Sequence, residues 1–148
     1  MNWLIEFITN PYLITGVSSW FYAQVLKTII FLIINKKFDF SRMFGDGGMP
    51  SGHSATVTSV TMLIGLAIGP GSVEFAISCI LAIIVCHDAT GVRRETGKHA
   101  EVLNELLKSL ETGEPVDLKE LVGHTPVQVF AGILIGIGNA CLMYYAIL

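Results

Sequence analysis

The chain has 148 residues and a formal net charge of -3, enough length for one domain. Just over half of the residues are apolar and only 14% are charged, well below the roughly 25% usual in soluble domains. That balance leaves too few polar faces for a water-soluble bundle of four helices, and with no basic stripe it argues against a nucleic-acid partner.

In chain order, MNWLIEFITN is a short apolar opening that suits the interface plane or the start of a bundle. No Lys or Arg precedes Lys27, so the basic region of a secretory signal is not expected. Four segments then have the length and character of membrane spans: 11–35, opened by Pro11, then 49–69, 72–92 and 124–147. The stretch KHAEVLNELLKSLE, inside the connection 93–123, repeats Val102, Leu103, Leu106, Leu107 and Leu110 on one helical face. TGEP breaks it, and DLKELVG is expected to add a short helical turn. This connection reads as a surface linker or as a lid over the mouth of the bundle. The expected architecture is a single all-α integral membrane domain over 1–148. It has about four transmembrane helices, a short N-terminal helix, and an amphipathic helix in a cytoplasmic insertion at 93–123.

Cys79, Cys86 and Cys141 all fall inside apolar segments without metal-ligand spacing, and read as packing residues. The basic residues cluster: Lys36, Lys37 and Arg42 follow the first span, while Arg93, Arg94, Lys98, Lys108 and Lys119 follow the third. By the positive-inside rule both connections are cytoplasmic and both chain ends lie on the far side. The expected location is the plasma membrane, with any site of this end on its cytoplasmic side. Gly132 and Gly136 form a GxxxG pair that permits close helix approach, within one chain or in a homodimer.

Ionisable groups in membrane spans default to functional hypotheses. Lys27 lies inside the first span, His53 opens the second, His87 and Asp88 close the third beside Arg93 and Arg94, and His124 opens the fourth. The expected topology brings His53, Asp88, Arg93, Arg94 and His124 to one face. Such a set suits phosphoryl transfer. Fixed cations hold a phosphate, Ser51 and Gly52 stand where a helix N-terminus offers N–H donors, and arginine grips two oxygens at once. Two histidines can serve as nucleophile and acid near neutral pH.

The same residues carry a resemblance. PSGHSA resembles the second signature of the type-2 phosphatidic acid phosphatases, a superfamily that includes the vanadium-dependent haloperoxidases. GHTPVQVFAGILIG resembles the region of the third signature, and HDATGVRRETGKHAEVLNELL, between the two, is similar to the superfamily's divergent branch. The likeness runs from about residue 11 to the C-terminus. It implies that His53 is the general acid and Ser51 and Gly52 a phosphate-binding pair. His124 is then the nucleophile of a phosphohistidine intermediate, Arg93 or Arg94 the signature arginine, and Lys27 the lysine of the first signature. It implies neither metal nor cofactor.

Three departures qualify the transfer. The 95–123 segment separates the arginines from His124, and His99, six residues after Arg93, is a rival nucleophile. Ile34 and Asn35 stand where the first signature has Arg-Pro, leaving Lys36, Lys37 or Arg42 to supply the charge. Gln128 stands where an acid would orient His124, and an amide cannot offset an imidazolium charge. Asp88 is the carboxylate that could replace it. The expected function is therefore a metal-independent phosphatase acting on a lipid-linked or membrane-associated phosphate. The alternative is an inactive protein that binds or moves a phosphorylated lipid or anion.

Overall fold

The computed structural model describes residues 2–37, 43, 45, 47–109, 118 and 122–147. Its regular elements are six helices: α1 (Trp3–Ile8), α2 (Pro11–Asn35), α3 (Gly52–Ala67), α4 (Val73–Thr90), α5 (Val92–Ser109) and α6 (Pro126–Ile147). Local chemistry sets most of their ends. The Asn10 side chain accepts the Tyr12 and Leu13 N–H groups beside Pro11, and Ser51 and Ser72 do the same for Ser54 and Phe75. These are free N–H groups of a first helical turn, which Ser and Asn satisfy well.

The chain is an all-α membrane protein. Three stretches are long and apolar enough to cross a bilayer: Pro11–Asn35, Val73–Lys108 and Pro126–Ala146. The expected span at 49–69 forms the 16-residue α3, about 24 Å long and shorter than the three stretches just named. Gly47 and Gly48, both at positive φ, hold a turn before it, and Gly69 at φ 110° ends it. Though short, α3 is the central helix, packed against α2, α4 and α6.

The interior is built from small and polar side chains, while large apolar ones face outward. Thr15, Ser19, Ser54 and Ser59 are fully buried, whereas Ile33, Ile77 and Ile83 are more than 60% exposed. In lipid, helices associate through close packing and hydrogen bonds, because tails are as apolar as leucine. Gly136 shows the packing: a Cβ there would stand 2.6 Å from the Ala55 carbonyl oxygen, and one at Gly132 would collide with that of Ser51. The GxxxG pair therefore serves α3–α6 contact within one chain. Asn139 of α6 adds polar ties, its Nδ2 donating to the Thr15 carbonyl and to Ser18 Oγ of α2 at 3.0 Å each.

The helix expected inside the 93–123 connection begins at Val92, directly after α4. Its inward face is not the leucine face. Gly97, Ala100 and Asn104 are buried, while Val102, Leu103 and Leu106 are exposed. Small residues on that side let the returning chain approach. The TGEP break, most of DLKELVG, Arg42 and Lys119 lie outside the described residues.

Candidate functional site

The beginnings of α3 and α6 and the end of α4 are stitched together by backbone. Ser51 N–H donates to the Gln128 carbonyl at 3.0 Å, and His124 N–H donates to the Ala89 carbonyl at 2.9 Å. Ala89 lies in the last turn of α4, where carbonyls have no partner within the helix. These two bonds place His124 beneath the junction. It is 3% exposed, and its Nδ1 has no hydrogen-bond partner among the described residues.

Charged and polar groups surround His124. Burial, then the charges of Lys27 and His53, hold its pKa below the ordinary histidine value, while interactions with Gln128 and the backbone of Gly48 act the other way without prevailing. Lys27 is itself buried; its stem lies against Gly48, and its Nζ donates to the Gly45 carbonyl at 3.1 Å. His124 also lines a partly polar cavity of about 340 Å³ with Arg94, Lys98, Gly48, Thr125 and Gln128. Lys98 is engaged with Glu95 at 2.7 Å, whereas no ion pair holds Arg94 among the described residues.

Arg94 reaches this cavity across a 30-residue gap because Gly123 packs on the backbone of α5. A Cβ at Gly123 would collide with the backbone of Arg93 and Arg94. Of the two arginines, Arg94 lines the cavity and Arg93 does not: its Nε donates to Asp88 Oδ2 at 2.6 Å. Asp88 is thus partnered by Arg93, and the structure does not bring it to His124. His99, the rival nucleophile, is exposed on α5 and absent from the cavity lining.

Three further expected site residues also make structural contacts. Ser51 is fully buried, its hydroxyl accepting from Ser54 N–H at 3.3 Å and from Ser54 Oγ at 3.0 Å. Gly52 is a packing residue, since a Cβ there would meet Trp20 Cδ1 at 3.2 Å. Gln128 caps α6: its Oε1 accepts from Thr125 N–H at 2.9 Å while Thr125 Oγ1 accepts from Gln128 N–H at 3.4 Å. This reciprocal pair is a capping box, and its T-x-x-Q pattern is legible in the sequence. Gly48 and Gly123 line the cavity and are the contributors that motif reading missed.

His53 stands outside the lining of this cavity. It is exposed and lines an apolar groove of about 450 Å³ with Tyr12, Leu13, Gly16, Val17 and Trp20 of α2 and Val60 of α3. The groove lies between α2 and α3, and His53 marks the end where α3 begins.

A family model described as the divergent PAP2 family matches residues 8–139. The chain belongs to this family. It is also 40% identical, over 95% of its own length and 98% of the relative's, to the "Uncharacterized membrane protein YuiD" of Bacillus subtilis (strain 168). No solved structure matches. Membership in the divergent PAP2 family agrees with the resemblance drawn from PSGHSA and GHTPVQ, and the likeness to YuiD agrees with the membrane assignment.

Proposed function

We propose that this divergent PAP2 protein is a membrane phosphatase that hydrolyses a lipid-linked or membrane-associated phosphate through a phosphohistidine. The observation that carries the reading is a buried histidine, His124, beside Arg94 in a polar cavity and under the field of Lys27 and His53. A depressed pKa keeps its imidazole neutral, hence nucleophilic, at neutral pH. His124 attacks phosphorus and forms the P–N bond as the P–O bond to the leaving alcohol breaks. Protonated His53 gives its proton to that oxygen, and Arg94 and Lys27 stabilise the charge on the other phosphoryl oxygens. Water then attacks phosphorus, its proton passes to neutral His53, and the P–N bond breaks to release phosphate. The apolar groove that ends at His53 supports a substrate with a hydrocarbon tail. The basic residues after α2 and α4 support a cytoplasmic site in a plasma membrane.

A second reading has its own observation. Gln128 is an amide held in the cap and Asp88 is paired with Arg93, so neither of these two brings a carboxylate charge to the His124 cation. The pocket then binds a phosphorylated lipid or anion without cleaving it. Phosphate release from a panel of lipid monophosphates and diphosphates, by the purified protein and its His124→Ala variant, decides between them. Release by the parent that falls to background in the variant is expected. Equal release by both, or none with vanadate still bound, would overturn the enzyme reading.

A further inference from the structure

The contact between Gly123 and α5 has an anchor at its far end. Asn104 is 3% exposed, and its carboxamide engages the backbone of Leu118 twice. Nδ2 donates to the Leu118 carbonyl at 2.9 Å, and Leu118 N–H donates to Oδ1 at 2.9 Å. Only a carboxamide donates and accepts in this way, and it holds the main chain whatever the side chain at 118. Buried side-chain-to-backbone bonds of this kind are expensive to leave half made.

The geometry makes the anchor consequential. Asn104 and Arg94 are ten residues apart on α5, an axial separation of about 15 Å. Leu118 is held at the first and Gly123 rests on the second. Five peptide steps join them, with a full reach of about 17 Å. Holding Leu118 therefore limits how far away Gly123 and the next residue, His124, can lie.

We propose that Asn104 is a positioning residue for the candidate site: by holding Leu118 it keeps Gly123 on the backbone of Arg94 and His124 buried beside the Arg94 side chain. The tether accounts for how a site split by a long connection is assembled. Its link to phosphate chemistry rests on the function proposed above; the placement of His124 does not.

The test is histidine modification by diethyl pyrocarbonate, read residue by residue by mass spectrometry on the full-length protein in detergent. Exposed His53, His87 and His99 serve as internal references. In the parent, His124 reacts slowly. In Asn104→Leu its rate rises about tenfold or more relative to His99, and the pH midpoint of its reaction moves up toward that of an ordinary histidine. Asn104→Asp keeps the acceptor for Leu118 N–H and loses the donor, so it falls between. An unchanged His124 rate in both variants, or a rise no greater than that of the other histidines, overturns the proposal. An added orthovanadate arm separates the two claims. Failure of vanadate to protect parental His124, with the Asn104 effect intact, counts against the phosphate site alone.

Discussion

The starts of α3 and α6 use the same ingredients to opposite ends. Each has a hydroxyl cap, Ser51 or Thr125, a neighbouring proline, and a histidine within two residues of the cap. At α3 the histidine follows the cap and sits on the helix, so His53 faces outward at the end of an apolar groove. At α6 the histidine precedes the cap, and its N–H is taken by the end of α4, which holds the ring under the junction. Three positions of displacement around a cap separate an exposed imidazole from one that burial keeps neutral. That division of surroundings suits the acid and the nucleophile proposed above.

The strongest way to break this comparison is chemical. If His53 acts only as the acid, His53→Ala slows release of an alkyl phosphate by about 10²–10⁴-fold. It slows release far less from a nitrophenyl phosphate, whose leaving oxygen needs no proton. Equal losses on both substrates would remove His53 from that role. A smaller effect separates cap from chemistry at the second helix. Gln128→Ala opens the capping box and costs about 1 kcal/mol of stability, seen as a lower apparent Tm. It leaves kcat within a few-fold; a loss of several hundredfold would show that Gln128 acts on His124.

The smallest expected effect sharpens the contrast in burial. His124 has a folded-state pKa below its unfolded value, so below about pH 6.5 the unfolded chain binds more protons. Its contribution to stability is complete above that pH and is lost as pH falls toward the folded pKa. Apparent Tm should therefore drop between pH 7 and pH 5, and drop less in His124→Gln. His53→Gln, altering an exposed ring, should retain the parental slope. A parental slope in His124→Gln would refute the burial argument.

Much of the fold was legible because its signals are local. Asn10-Pro11, Ser51, Ser72 and Thr125-Pro126 mark helix starts within three or four residues, and runs of leucine and isoleucine mark what faces lipid. The shortness of α3 was less legible, because Met49 and Pro50 before it and Ile68 after it extend the apolar run beyond the helix ends. The candidate site divides likewise. The placement of Lys27, His53 and His124 toward one end follows from span order, and their motifs follow from residue identity. The choice of Arg94 over Arg93 does not, nor does the pairing of Asp88 with Arg93. Both depend on where the chain lies after a long connection.

Sequence alone determined that this is a helical membrane protein of the divergent PAP2 type, because hydropathy, caps and signature residues act over short stretches. Tertiary structure decided which histidine is buried, that Gly52 and Gly132 serve packing, and that Gln128 is held by a cap. Those outcomes depend on backbone meeting backbone, Ser51 on Gln128, His124 on Ala89, Gly123 on Arg94. Contacts between residues 29 or more positions apart leave no periodicity in the chain that makes them.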